Sequence, residues 1–263
     1  MSRQNYYARR RHRAARAVDA ELVLNLVREE RRCQPRLGTR KLRYMLKGAM
    51  QKAGVVLGRD RFFGLLRAAD LLVGRLPREW VSTTCSQHKL PVYPNLIRDL
   101  TVREPNQVWV VDLTYVRTEE GFMFLALVTD KGSRKILGYH CAENLEASGC
   151  VRALRMALAD LPSDARPIHH SDRGTQYCSH EYGRILAERG LAISMTEKNH
   201  CAENALAERM NGILKSEYGL GGRLQSKAQA RRAVDQAVAT YNQRRPHTCL
   251  QMRTPEQAHC LTE

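Results

Sequence analysis

Apolar residues recur at helical spacing through the first third of this chain and at strand spacing after residue 107. In DAELVLNLVREERR (19–32), Leu22, Val23, Leu26 and Val27 share a face, and Asp19 stands where a helix cap belongs. GTRKLRYMLKGAMQKAG (38–54) predicts a second helix, capped by Thr39 and closed by Gly54. GRDRFFGLLRAADLL (58–72) predicts a third, with Phe62, Leu65, Leu66 and Ala69 inside. Periodicity lapses in 75–106, where Pro77, Pro91, Pro94 and Pro105 gather, which predicts a linker or an extended wrap.

Three apolar runs follow, QVWVVDLTYVRT, GFMFLALVTD and RKILGYHCAEN, separated by EEG and KGS. They predict an antiparallel meander. Next come a helix at 146–160, a strand at PIHHSD, a helix at SHEYGRILAERG, a strand at LAISMT, a long helix over 203–219 and a last one over 226–245, stopped before Pro246. This order predicts an α/β fold: a mixed five-stranded sheet with flanking helices, preceded by an all-α region. The boundaries read 1–74 for the helical region, 75–106 for the linker and 107–263 for the sheet domain.

Charge changes the picture of the first region. Residues 1–80 hold 20 lysines and arginines against 7 acids, and the rest of the chain 23 against 20. That surface favours a polyanion. With Arg40, Lys41, Arg43, Arg59 and Arg61 around two consecutive helices, the pattern suggests a DNA-binding helix-turn-helix, against the plainer reading of a three-helix bundle with a basic surface. No apolar run is long enough to span a membrane, and the Arg-rich start lacks the apolar segment of a secretory signal. The eight cysteines form no CxxC pair, so reduced thiols in the cytoplasm are expected. HTC (247–249) and HC (259–260) read as packing or surface residues rather than zinc ligands.

Candidate chemistry centres on three carboxylates. Asp112 sits in VWVVDLTYV, which is apolar on both alternating sets and therefore predicts a strand covered on both faces. A carboxylate there needs a cation or donors, so it is either paired or a metal ligand. Asp172, in IHHSDRGTQY, ends a short strand ahead of Arg173-Gly174, as a turn residue or as a ligand at a strand end. Glu208 shares a polar helix stripe with Asn204, Asn211 and Lys215, opposite Leu206, Met210 and Ile213. Glu217 lies on the apolar side, as if the helix ended there. Three such carboxylates suit hard divalent cations that serve phosphoryl transfer. Asp130 reads as a turn or ion-pair residue, His170 as the better placed of two histidines for a metal or phosphate, and Arg244, Arg245 and His247 as a basic helix end.

The triad has 59 and then 35 residues between its members, and Lys215 follows Glu208 by seven. With WVVDLTYV, HHSDRGTQY, ENALAERMNGILKSE, YNQRRPHTCLQMRTPEQA and the earlier GTRKLRYML, the chain resembles the OrfB-type insertion-sequence transposases, retroviral-integrase-like enzymes with a DDE signature. Each motif alone is weak; in this order and spacing they are specific. Where that family has an Asp-Asn pair ahead of the glutamate, this chain has Glu203-Asn204.

The resemblance implies an RNase H-like core that cleaves DNA strands with water and transfers them with a 3′-hydroxyl. It implies Asp112, Asp172 and Glu208 as catalytic ligands of two magnesium ions, with manganese able to substitute. Asn204, Asn211, Lys215, Arg173 and His170 would meet DNA. The partners it implies are the element ends and target DNA, further copies of the chain, and the product of an upstream frame; the location is the bacterial cytoplasm, on the nucleoid. Two alternatives are a catalytically silent DNA-binding regulator of transposition and a nonspecific RNase H-type nuclease.

Overall fold

A computed structural model describes residues 3–74, 90–197 and 201–260, the side chains of 8–16, 201 and 202 excepted. The chain divides into two compact units, 1–77 and 78–263.

The first unit is three helices, α1 (Arg3–Cys33), α2 (Thr39–Lys52) and α3 (Arg59–Ala68). Val23 and Val27 of α1 close over Leu42, Leu46, Met50, Phe62 and Leu66, all buried. Burying each large side chain stabilises the unit by about 1.5–3 kcal/mol. Helix α1 begins long before Asp19, which lies inside it rather than capping it. The added turns are rich in alanine and arginine, good helix formers that need no apolar stripe. Nor does Thr39 cap α2: Gly38 is the extended residue there, and Thr39 is buried as the first helical residue. Gly54, at φ +73°, closes α2 as expected, with the Val55 amide donating to Met50 O at 2.8 Å. Asp70 at φ +53° ends α3 in the same way.

The second unit is built on one sheet. Strands β1 (Val108–Thr118), β2 (Gly121–Asp130) and β3 (Ile136–Ala142) form the antiparallel meander. Beyond β1 lie β4 (Ile168–Ser171) and β5 (Ile193–Met195), both parallel to it, giving the order β3-β2-β1-β4-β5. Helices α4 (Ala147–Ala159) and α5 (His180–Glu188) cover one face, over Trp109, Val111, Leu113, Ala126 and Val128. Helices α6 (Ala205–Glu217) and α7 (Lys227–Arg244) cover the other, over Val116, Met123, Leu125 and Leu127. This two-sided burial explains why β1 reads as unbroken apolar sequence. Helix α4 lies against the β3 backbone at Gly138, where a Cβ would come within 2.1 Å of Ala153 O.

Three short elements among the described residues have no counterpart in the sequence pattern: β6 (Arg223–Leu224), which pairs with Arg117 and Thr118 of β1 and makes the sheet six-stranded rather than five-stranded, a 3-10 turn (Thr248–Leu250), and α8 (Pro255–His259). Each is too short to show a period. Of the proline-bearing stretch, 75–89 lies outside the described residues. Residues 90–106 wrap the sheet unit: the Leu96 amide donates to Ser194 Oγ, the Met195 amide to Pro94 O, and Ile97 packs on Val108, Val110 and Ala207. Asp130 makes the β2–β3 turn. Its carboxylate is fully buried and accepts from the amides of Asn106 and Ser133 and from Ser133 Oγ, at 2.6–2.8 Å.

Candidate active site

Strands β1 and β4 pair only from Val108 with Ile168 to Val110 with His170, and then part. Asp112 and Asp172 each stand two residues beyond the last pair, past the start of the split. Such openings beyond the carboxyl ends of parallel strands are where ligands bind in α/β sheets. Asp172 is also a turn residue, since its Oδ1 accepts from the Gly174 amide at 3.0 Å. Being a turn residue and facing Asp112 are therefore compatible.

Past the split, the open edge of β1 is met by α6. Asn204 Nδ2 donates to Val111 O at 3.0 Å, and Asn211 Nδ2 to Asp112 Oδ2 at 2.7 Å. Both asparagines are buried. They are thus not open to DNA as the resemblance implies; they fasten the helix to the strand. Glu208, on that stripe between them, is exposed.

The electrostatics follow from this placement. Burial pushes the Asp112 carboxyl up to about 7, the nearby Asp172 adds to the rise, the Leu113 amide and Asn211 oppose it, and Glu208 raises it further. Asp112 thus lies in the field of two further carboxylates, and a cation would relieve the repulsion. All the donors are hard carboxylate oxygens, the set that magnesium takes. Among the described residues, no three His, Cys, Asp or Glu side chains close tightly enough to surround one ion in this conformation. Lys215 is half-buried, with Nζ 3.7 Å from the centre of the Tyr115 ring. Burial lowers it to about 8, with Asp112 pulling the other way and Arg117 adding to the fall.

Other expectations give way. His170 is fully buried, its Nδ1 2.9 Å from Ser194 Oγ, and burial and Lys131 push it down to about 4. It is a neutral ring between β4 and β5 and does not reach a metal or phosphate. His169 packs likewise, 2.8 Å from Tyr182 Oη. Nor does Arg245 belong to an open basic helix end: it is 2% exposed and grips Glu217 through two hydrogen bonds of 2.7–2.8 Å, with His247 beside it. That pair explains the acid on the apolar side of α6. Arg173 is partly exposed, and its Nε donates to Thr196 O at 2.7 Å. In the helical unit Arg40, Arg59 and Arg61 are exposed and Lys41 is half-buried, while Arg43 turns inward to donate to Leu57 O at 3.2 Å. Sequence reasoning missed Asn211 as the holder of Asp112. The signal was its place three residues after Glu208 on the same stripe.

Two integrase core domain models match the chain, over 102–201 and 189–255. The 31 kDa protein of insertion element IS600 from Shigella sonnei is 35% identical over 254 residues, 95% of this chain and 92% of that one. Transposase InsF of insertion sequence IS3A from Escherichia coli K12 is 35% identical over 188 residues, 71% of this chain and 65% of that one. In fold, the chain is similar to one in the cryo-EM structure of the simian T-cell lymphotropic virus intasome in complex with PP2A regulatory subunit B56 gamma, with a TM-score of 0.52 and 21% identity over 81% of this chain and 70% of that chain. The class is that of DNA transposases and integrases built on an RNase H-like sheet. The chain belongs to the insertion-sequence transposases that carry an integrase core domain.

Proposed function

We propose that this transposase cuts the ends of its element and joins them to target DNA, with Asp112, Asp172 and Glu208 as the ligands of two magnesium ions, replaceable by manganese. The observation that carries the reading is that β1 and β4 part just before Asp112 and Asp172, with Asp112 in the field of both Asp172 and Glu208. Bound divalent ions supply Lewis acidity, which eases deprotonation of the attacking hydroxyl and neutralises charge on the leaving oxygen. In the first reaction water attacks phosphorus, the P–O3′ bond breaks, and a free 3′-hydroxyl is left on the element. In the second that hydroxyl attacks a target phosphodiester, breaking its P–O3′ bond. Asn211 holds Asp112 in place. Lys215 meets a phosphate beside the scissile one. The exposed Arg40, Arg59 and Arg61 of the helical unit hold DNA by its backbone. The chain works as a homo-oligomer on DNA, together with the product of the upstream frame.

The test is Glu208→Gln. It abolishes magnesium-dependent cleavage of an element-end duplex and leaves DNA binding intact. Nicking of that duplex by the variant at the wild-type rate refutes the assignment.

A further inference from the structure

The β1–β2 hairpin continues past the point where α4 and α5 cover the sheet. Tyr115, Arg117 and Phe122 share one of its faces, since Arg117 and Phe122 are register partners and Tyr115 lies two residues along β1. Phe122 meets Tyr115 edge-on, ring centres 5.7 Å apart, and is 49% exposed. Lys215 Nζ lies over the Tyr115 ring, with the Arg117 guanidinium 5.7 Å from its centre. At the turn, Glu119 pairs with Arg223, and Glu120 accepts from the Lys227 amide. Strand β6 pairs with Arg117 and Thr118 and stiffens the hairpin. The half-bare Phe122 ring stands beside two cations, level with Arg117, five residues along β1 from Asp112; this matches the chemistry that holds unpaired nucleotides, a ring for a base and cations for its flanking phosphates.

We propose that Phe122, backed by Tyr115 and flanked by Arg117 and Lys215, is a stacking platform for an unpaired base of the DNA strand entering the active site. The role rests on the proposed function and extends it, because it names a residue that receives the opened end. The base stacks on the bare face of Phe122. Lys215, which lies in the field of Asp112, links the platform to the carboxylates.

The test uses the full chain and a duplex of the element's end, with its last base pairs either matched or opened by mismatches and a fluorescent aminopurine in the opened strand. Binding is measured without divalent cation, so the result does not depend on the carboxylates' chemistry. The wild type binds the opened duplex roughly tenfold more tightly than the paired one and quenches the aminopurine. Phe122→Ala loses both effects, and Phe122→Trp keeps them. Thermal melting checks that both variants fold. Retained preference and quenching in Phe122→Ala overturn the platform, as does a change of oligomeric state with no change in either. A parallel cleavage reaction with magnesium and the upstream-frame product tests the wild type: inactivity there sinks the proposed function, while the stacking result stands or falls separately.

Discussion

The Asn211 amide donates to Asp112 Oδ2 at 2.7 Å, so one hydrogen bond joins the helix of Glu208 to the strand of Asp112. Asn211→Ala removes it and frees Asp112 to turn. Magnesium-supported cleavage should fall about 10–100-fold, the usual loss when a partner that orients a metal ligand is removed. Because the bond also holds the Asp112 pKa down, the acid limb of the rate–pH profile should move to higher pH. Unchanged rate and profile would show that Asn211 only packs.

Asp112 titrates at about 7 in the fold, above the value of about 3.9 for an unfolded aspartate. The folded chain therefore holds the proton more tightly. Ionised Asp112 costs stability that grows from pH 4 and is complete above pH 7, and acidification through that window restores it. Without divalent cation, Asp112→Asn should gain stability over the wild type as pH rises from 5 to 8, by on the order of 2 kcal/mol. Urea midpoints at the two pH values measure this. The same proton competes with a cation, so magnesium affinity in calorimetry should weaken below pH 7.

Gly138 has no room for a side chain, with Ala153 O 2.1 Å and Ala157 N 2.8 Å from its ideal Cβ. Gly138→Val should push α4 off β3 and leave little soluble, folded protein. Circular dichroism and expression yield report this, and a wild-type melt would contradict the close approach.

The Glu217–Arg245 pair ties the end of α6 to the end of α7. Glu217→Ala strands a buried guanidinium and should cost about 3–5 kcal/mol. Replacing both, Glu217→Leu with Arg245→Met, should cost clearly less, since no charge is left unpaired. A double-mutant cycle in urea separates the two cases.

Exposed arginines of the helical unit should act through phosphates. Arg40→Ala and Arg61→Ala should each weaken DNA binding similarly on all sequences and flatten the dependence of log affinity on log salt by about one. An unchanged slope would exclude these positions from the interface.

Much of the fold is visible in the sequence because its elements are long and periodic. The meander shows in β1 to β3, where runs of seven or more residues end at tight turns. Helices α4 to α7 show through their apolar faces. By contrast α1 extends well before its apolar stripe, over turns rich in the helix formers alanine and arginine, and two-residue β6 exists only because β1 offers an open edge.

By itself, then, the sequence determined which residues carry carboxylates at which strand and helix positions, and which side of an element each residue shares. The tertiary structure decided what stands opposite. Asn211 and Asp112 are 99 positions apart, and Ser194 and His170 are 24 apart. Periodicity is a local property of the backbone, whereas burial and hydrogen-bond partners arise when distant segments meet. A polar stripe therefore reads the same whether it faces water, DNA or the edge of a strand. For Asn204, Asn211, His170 and Arg245 it is the packed interior, where each side chain meets a partner from a distant segment or a neighbouring element, that set their places.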